Sequence, residues 1–288
     1  MQESLRSNDA TEKDYLHVFL LKYPFLPSIA LWRAEEASLF APLVLEKPIL
    51  DLACGNGCFA GIALKAQVTV GCDRDFIQTK RAKMSGAYQD TLVADICNLP
   101  HRDQSFATVI SNCVLEHIQE PAKVLQEVFR VLAPGGTFIF TVPTEKFNEW
   151  FYLSWLFRKF RLNNLAIKQV ERYNCAQFHY HICSLQEWSI RLKRAGLQID
   201  KHRYYASRDF VILFSILDDL TQIVRSMARA KDSSSERWAS QMSGLSAGRI
   251  GRFAACFWLY LLRSLQGKEL PVGFDGAAVL IQARKPAS

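Results

Sequence analysis

The stretch Ile49-Leu-Asp-Leu-Ala-Cys-Gly-Asn-Gly57 decides the fold of this chain. Its apolar start is typical of a buried strand, its glycine pair predicts a turn, and residues 58–66 continue as a helix. This order favours a nucleotide-like ligand, because the glycines expose bare backbone and the helix start offers unpaired N–H donors. Asp51 stands inside the strand, where a carboxylate needs a partner. We expect that partner to be a cationic ligand.

Strand-like and helix-like segments alternate around this motif, which indicates a parallel sheet covered on both faces. The predicted strands are residues 48–53, 67–73, 91–95, 106–113, 137–142, 197–206 and 276–284. The predicted helices are residues 29–45, 58–66, 75–85, 120–132 and 184–195. The predicted fold class is therefore α/β, a doubly wound, mostly parallel seven-stranded sheet with a helical insertion before its last strand.

The same pattern divides the chain into three parts. Residues 1–47 are predicted to form an N-terminal helical segment, and residues 48–206 with 276–288 to form the core. Residues 207–275 are predicted to be a helical insertion, divided by a Ser-rich break at 232–248, that acts as a substrate lid or contacts a membrane surface. Within it, Asp218-Asp219 is interpreted as a solvated helix face.

Charge is distributed unevenly along the chain. Residues 1–144 carry 13 basic and 16 acidic side chains, a net charge of −3, whereas residues 145–288 carry 22 and 12, a net charge of +10. This surplus indicates either an anionic partner or a solubilising face. The eight cysteines form no Cys-x-x-Cys pair, so we expect no metal and a reducing, cytoplasmic location, with association to the cytoplasmic face of a membrane left open.

Five motifs resemble those of the class I S-adenosylmethionine-dependent methyltransferases, in the branch of small-molecule and ubiquinone-type enzymes. They are LDLACGNG (50–57), VGCD (70–73), VADICNLP (93–100), FATVISNCVLEH (106–117) and RVLAPGGTFIF (130–140), and residues 181–197 resemble the family's closing helix. The first motif alone is weak, but five in order at family-like spacing are specific. The resemblance implies S-adenosyl-L-methionine as cofactor.

The resemblance also implies eight cofactor-binding positions. They are Asp51, Ala53, Gly55, Gly57, Asp73, Asp95, Ile96 and Asn112. Asp51 would order the glycine loop, and Gly55 and Gly57 would let the backbone approach the methionine part of the cofactor. Ala53 stands where members of the family commonly have a glycine.

The other four positions follow the later strands. By resemblance, the Asp73 carboxylate would accept hydrogen bonds from both ribose hydroxyls, and the Asp95 carboxylate would accept one from the adenine amino group. Ile96 would supply a backbone N–H and an apolar contact, and Asn112 would line the methionine side. The alternative for Asp95 is an acid that merely forms a turn.

The implied chemistry is an in-line displacement at the sulfonium methyl, which needs alignment and dry surroundings. A hydroxyl or carbon nucleophile also needs a base, for which His117 and His181 are the candidates. Each could instead have only a structural role. His179 and Tyr180 are weaker candidates, and Glu116 could orient His117 or face solvent.

The acceptor is predicted by exclusion. No Asn/Asp-Pro-Pro-Tyr run, Pro-Cys nucleophile or RNA-binding module is evident, so we expect a small-molecule or lipid-like acceptor and no nucleic-acid partner. The aromatic stretch 147–161 and the insertion 207–275 would form an apolar lid at a membrane surface or an inward-packed helical subdomain. The sequence does not predict the oligomeric state.

Two alternative functions remain at this stage. Gly55-x-Gly57-x-x-Ala60 and Asp73 also fit the fingerprint of an NAD(P)-binding oxidoreductase, although Asp51 inside the strand argues against it. A cofactor-binding protein without transferase activity is the other alternative.

Overall fold

The computed structural model describes residues 13–227, 248–263 and 275–287. The strands are β1 (Ile49–Leu52), β2 (Val68–Asp73), β3 (Tyr88–Val93), β4 (Phe106–Asn112), β5 (Leu132–Pro143), β6 (Gln198–Tyr205) and β7 (Ala278–Arg284). The first helices are α1 (Tyr15–Lys22), α2 (Pro27–Phe40), α3 (Cys58–Ala63), α4 (Phe76–Met84), α5 (Pro121–Val131) and α6 (Glu145–Trp150). The later helices are α7 (Tyr152–Lys159), α8 (Asn163–Gln177), α9 (Leu185–Arg194), α10 (Arg208–Met227) and α11 (Arg249–Leu262).

The seven strands form one sheet in the order β3-β2-β1-β4-β5-β7-β6. Neighbouring strands from β3 through β5 pair in parallel, and β7 is antiparallel to both β5 and β6. The predicted doubly wound, mostly parallel seven-stranded sheet is confirmed. The antiparallel β7 between β5 and β6 also departs from the usual dinucleotide-binding order, in which a parallel sixth strand follows the fifth.

The strand order reverses next to β1, which has β2 on one side and β4 on the other. In open α/β sheets, ligands bind beyond the carboxyl ends of the strands at such a switch point. The topology therefore places a candidate site beside the loop that follows Leu52.

Apolar side chains cover both faces of the sheet. On one face, α5 and α9 contribute Val124, Leu125, Val128, Trp188 and Leu192. The opposite face packs against α1, α2, α10 and α11, whose inward residues include Phe19, Trp32, Val211 and Ala255. Helix α9 lies close to its predicted bounds of 184–195. At its start, Ser184 Oγ accepts a hydrogen bond from the Glu187 amide at 3.2 Å, and Gly196 follows its end with φ +87°.

Two strands differ from their predicted bounds. β3 begins at Tyr88 rather than at residue 91, because this half-exposed edge strand carries polar residues that hide its start, and Asp95 lies beyond its end. β5 begins at Leu132 rather than at residue 137. Phe106 pairs with Leu132 but Thr108 pairs with Thr137. Residues 133–136, which were predicted to lie between the helix at 120–132 and the strand at 137–142, therefore form an irregular bulge within the strand.

The aromatic stretch and the described part of the insertion are helical. Phe147 and Phe151 of that stretch are buried against Phe214 of α10, with ring centroids 6.0 and 6.4 Å from that of Phe214. The interpretation of the acidic pair as solvated was wrong for Asp218, which is 7% exposed and accepts from Ser28 Oγ of α2 at 3.2 Å. The Ser-rich break lies outside the described residues except for Gly248. The three-part division stays a prediction.

In the described ranges, none of the helices combines the length and apolarity that crossing a membrane requires.

Candidate cofactor-binding site

The Asp73 carboxylate joins the loops that follow β1 and β2. Its Oδ2 accepts the Gly55 amide at 2.9 Å, and its Oδ1 accepts the Asp75 amide at 2.8 Å. An ionised carboxylate has about four lone-pair positions. Two remain for a ligand, so the arrangement is compatible with the predicted pair of hydroxyl donors.

The Asp51 carboxylate lies beneath the glycine loop. It is 8% exposed, and its Oδ2 accepts from the hydroxyl of Tyr88 at 2.7 Å. Burial raises the pKa of Asp51 to about 7, despite the opposing hydrogen bond from Tyr88, and the nearby Asp73 adds to the rise. A cation beside Asp51 would stabilise its charged form, which agrees with the predicted cationic ligand.

The two glycines of the loop have different roles. A Cβ on Gly55, with φ +55°, would meet no described residue within 4 Å, so this glycine faces space where a ligand could approach. A Cβ on Gly57, with φ +75°, would lie 2.7 Å from Ser85 Oγ and 2.9 Å from the Tyr88 ring. Gly57 therefore permits close packing on α4 and β3, and the predicted approach of a ligand to it does not follow from the geometry. Ala53 has φ +54°, a conformation that favours glycine.

A cleft of about 60 Å³ opens at the ends of β1 and β4. Its lining includes four of the predicted residues, which are Asp51, Ala53, Gly55 and Asn112. The other lining residues are Phe19, Tyr23, Arg33, Cys54, Asn56 and Phe59. Ligand sites commonly have volumes of roughly 300–1,000 Å³. The cleft is narrow because α1 and α2 cover it.

A buried carboxylate from α2 joins the cleft to the neighbouring strands. Glu36 is fully buried and accepts hydrogen bonds from five side chains. The donors are Trp32 Nε1 at 2.8 Å, Arg33 Nη1 at 2.8 Å, Asn112 Nδ2 at 2.8 Å, Cys113 Sγ at 2.7 Å and Tyr205 Oη at 3.1 Å. Asn112 also accepts from Thr141 Oγ1 at 2.8 Å. These bonds hold Asn112 at the edge of the cleft.

Asp95 and Ile96, the two predicted cofactor contacts that follow β3, have other partners in the structure. Asp95 Oδ1 accepts the Cys97 amide at 2.9 Å, so this exposed acid forms the turn that was its alternative role. The Ile96 side chain is 6% exposed and packs in the core, so the predicted apolar contact to a ligand does not follow from its position. Neither residue lines the cleft.

The two histidine candidates lie in different surroundings. His117 Nδ1 is 3.1 Å from the Gln177 carbonyl oxygen, and its Nε2 is 3.9 Å from Glu116 Oε1. His181 Nε2 is 3.2 Å from the Gln119 carbonyl oxygen near the surface. Desolvation lowers the pKa of His117, although 39% of its side chain is exposed. Only His117 is next to a buried carboxyl group.

Glu116 is buried rather than solvent-facing, with 2% of its surface exposed. Burial raises the pKa of Glu116 to about 8, and its Oε2 has no hydrogen-bond partner among the described residues. The ring of the weaker candidate His179 lies tilted against that of His117 with centroids 4.9 Å apart, and burial lowers the pKa of His179 to about 3. Tyr180 Oη accepts from Gln119 Nε2 at 3.2 Å at the surface. Among the described residues, no three His, Cys, Asp or Glu side chains cluster as metal ligands do.

Comparison with known proteins identifies the domain. Residues 50–140 match the family model described as a methyltransferase domain. A tRNA (carboxymethyluridine(34)-5-O)-methyltransferase of Arabidopsis thaliana is 34% identical over 145 residues, which are 48% of this chain and 35% of the relative. A demethylmenaquinone methyltransferase of Clavibacter sepedonicus is 35% identical over 113 residues, 38% of this chain and 46% of the relative. The chain thus spans a third to a half of these relatives.

Solved structures share the fold. A methyltransferase of Thermotoga maritima aligns over 94% of this chain and 99% of its own, with a TM-score of 0.52 and 14% identity. The cyclase SpnF aligns over 90% of this chain and 82% of its own, with a TM-score of 0.50 and 18% identity. Residues 50–140 therefore belong to a methyltransferase domain, and the chain has the fold of S-adenosylmethionine-dependent methyltransferases, as the five motifs predicted.

Sequence reasoning missed three residues of the site. Arg33 and Glu36 lie on a helix that was predicted only to pack beside the sheet, and Tyr88 lies before the predicted start of its strand. The available signal for Glu36 was weak, since a lone glutamate on an amphipathic helix is ordinarily solvated. Nothing in the local pattern indicated that Tyr88 would reach Asp51.

Proposed function

We propose that this protein transfers the methyl group of S-adenosyl-L-methionine to a small, hydrophobic or lipid-linked acceptor. The observation that carries the cofactor assignment is the Asp73 carboxylate, which holds the Gly55 amide and keeps further acceptor capacity at the switch point. Asp51, Gly55, Asp73 and Asn112 would hold the cofactor. When bound, the cofactor supplies an electrophilic methyl group on a sulfonium.

The chain's own residues would align and protect that reaction. Asp51 would neutralise positive charge beneath the loop, and Gly55 would admit the ligand to the backbone. Phe19 and Phe59, which line the cleft, would exclude water. The cleft is narrow, so entry requires side chains of α1 or α2, such as Tyr23 and Arg33, to move aside.

For an acceptor that must lose a proton, we propose His117 as the base. Its Nδ1 faces a backbone carbonyl, which favours the tautomer with the proton on Nδ1 and leaves Nε2 able to accept a proton. Glu116 Oε1 lies 3.9 Å from that Nε2, so an imidazolium formed there would favour the ionised form of Glu116, whose charge would in turn stabilise the imidazolium. The carboxyl group that interacts with His181 is that of Glu187, which is 49% exposed, so His181 is the weaker candidate.

A hydrophobic acceptor is supported by the aromatic residues around the site and by the demethylmenaquinone methyltransferase relative. Trp32, Phe147 and Phe214 form an apolar cluster beside Glu36. Much of this cluster is inward-packed, so the apolar residues that reach the acceptor would be those at the mouth of the cleft.

An RNA acceptor is the second candidate. The plant tRNA methyltransferase relative and the net charge of +10 in residues 145–288 favour it. The fold alone does not decide the reaction, since a cyclase shares it.

Two measurements test the proposal. Calorimetric titration should show binding of S-adenosylmethionine and S-adenosylhomocysteine but not of NADH; binding of NADH alone would overturn the cofactor assignment. Methyl-labelled cofactor should then be incubated separately with a lipid and metabolite extract and with total tRNA. Label in the extract supports the proposed acceptor, label in tRNA supports the second candidate, and cofactor binding without label in either supports a non-transferring protein.

A further inference from the structure

Helix α11 exposes an apolar face to solvent. Its inward side consists of Gly251, Ala255 and Leu262, which are buried in the face of the core that includes α1. On the opposite side, Phe253 is 76% exposed and Tyr260 is 84% exposed. The other outward apolar residues are Ile250 at 66%, Phe257 at 49% and Leu261 at 45%.

This distribution is the reverse of that on an ordinary surface helix, whose outward face is polar. Positions 253, 257 and 260 recur at helical spacing, so their aromatic rings form one continuous stripe. Contiguous exposed apolar surface of this kind commonly marks an interaction site. A concavity of about 530 Å³ also lies along this helix, and Tyr260 and Arg263 are among its described lining residues.

Basic residues border the stripe. Arg249 and Arg252 are exposed on the first turn, and Arg263 is exposed at the other end. The segment from Arg249 to Arg263 contains no aspartate or glutamate. The Asp14 carboxylate comes only to 3.8 Å of the Arg263 guanidinium. An apolar stripe edged by arginines complements a surface that is apolar inside and anionic outside.

We propose that α11 docks this protein on an anionic phospholipid bilayer, lying in the plane of the interface. Its 14 residues span only about 21 Å, less than the roughly 30 Å hydrocarbon core. Aromatic side chains would enter the headgroup boundary while the arginines contact lipid phosphates. A second copy of this chain fits less well, because two arginine-edged faces would repel each other. This inference does not depend on the proposed function.

The test is co-sedimentation with vesicles of phosphatidylcholine alone and of phosphatidylcholine with phosphatidylglycerol. We expect binding to the mixed vesicles that weakens as salt is added, and little binding to neutral ones. The variant Phe253→Ser/Phe257→Ser/Tyr260→Ser should bind the mixed vesicles at least ten-fold more weakly. The matched control is Ile77→Ser/Met84→Ser, which removes exposed apolar residues of α4 and should leave binding unchanged.

A second pair of variants tests the charges separately. Arg249→Gln/Arg252→Gln should weaken binding to mixed vesicles several-fold, whereas Lys80→Gln/Arg81→Gln, which removes the same charge from exposed positions of α4, should not. Equal loss in both pairs would indicate a general charge effect and overturn the assignment to α11.

Three further outcomes would also overturn the proposal. They are wild-type protein that stays in the supernatant with mixed vesicles at low salt, aromatic variants that sediment like the wild type, and a wild-type dimer that these variants dissociate without any vesicle binding. Thermal melting and S-adenosylhomocysteine titration on every variant verify the fold. Vesicle binding without cofactor binding would sustain this inference and overturn the proposed function. Cofactor binding without vesicle binding would overturn this inference and leave the proposed function standing.

Discussion

The side-chain amide of Asn112 donates a 2.8 Å hydrogen bond to Oε2 of Glu36, which joins the last residue of β4 to helix α2. Glu36 is fully buried, and its four other donors come from α2, β6 and the residue after β4. This carboxylate therefore connects the N-terminal helices to the sheet at the edge of the candidate site. The consequences of this arrangement and of the glycine loop can be measured.

Replacing Glu36 should destabilise the whole domain. We expect Glu36→Ala to lower the free energy of unfolding by about 3–5 kcal/mol, because it leaves several buried donors, including the Trp32 indole N–H and the Tyr205 hydroxyl, without this acceptor. Tyr205→Phe, which removes one donor, should cost about 1 kcal/mol. Urea denaturation measures both. The exposed Glu171 of α8 offers a control, since Glu171→Ala should change stability by less than about 0.5 kcal/mol. A Glu36→Ala effect no larger than that of Tyr205→Phe would contradict this role.

Asp73 should dominate the affinity for the cofactor. Asp73→Ala is expected to weaken binding of S-adenosylhomocysteine by roughly 2–4 kcal/mol, because two charge-assisted hydrogen bonds to the ligand are lost together with the bond that positions Gly55. Calorimetric titration measures this change. Asp90→Ala is the control, since Asp90 is exposed and paired with Lys83. Unchanged affinity in Asp73→Ala would refute the assigned contact.

Asp51 should release a proton when the cofactor binds. With a pKa of about 7, the free protein holds Asp51 largely protonated at about pH 6, and an adjacent cation lowers that pKa. Affinity for S-adenosylmethionine should therefore rise with pH up to about 7 and then level off. Calorimetry in two buffers of different ionisation enthalpy measures the proton. Asp51→Asn should abolish its release, and wild-type binding without proton release would count against a cation beside Asp51.

The same raised pKa links Asp51 to stability. The folded protein keeps the Asp51 proton up to about pH 7, whereas the unfolded chain loses it near its ordinary value of 3.8. Stabilisation by the protonated form is therefore complete below about pH 4 and is lost as pH rises towards 7. Stability of ligand-free Asp51→Asn relative to the wild type should increase across this window, which thermal melts at several pH values measure. A constant difference across the window would show that the pKa is not raised.

The two candidate bases should differ in effect. His117→Gln should slow methyl transfer at least ten-fold, because general bases typically contribute 10²–10⁴-fold, while leaving cofactor affinity unchanged. His181→Gln should change the rate less than two-fold. The pH profile distinguishes a base from a structural role, since the acidic limb should disappear only in His117→Gln. Equal effects of the two substitutions would exclude His117 as the specific base.

Ala53 offers a prediction on stability alone. Its φ of +54° costs an alanine about 1 kcal/mol more than a glycine, which the greater freedom of glycine in the unfolded chain partly offsets. Ala53→Gly should therefore raise the free energy of unfolding by about 0.5 kcal/mol in denaturant titration. Ala122→Gly, the same change at an exposed position of α5, should lower it by about 1 kcal/mol. A loss of stability in Ala53→Gly would show that the loop is not strained there.

Local patterns were sufficient for the sheet and for the glycine loop. The alternation of strands and helices predicted a parallel order, and the ends of neighbouring strands then had to bring Gly55 and Asp73 together. The bounds of β3 and β5 could not be predicted, because an exposed edge strand lacks an apolar run and a bulge interrupts the period of two.

The sequence by itself determined the fold class, the family resemblance and the acids at the strand ends, because each depends on residues that are neighbours in the chain. Only the tertiary structure decided that Tyr88 reaches Asp51, that Glu36 meets Asn112 and that α11 turns three of its aromatic residues outward. Those contacts join residues 37 and 76 positions apart. Their burial depends on which elements the strand order of the sheet places side by side. The spacing of apolar residues along the chain predicts single helices and strands but not which of them become neighbours.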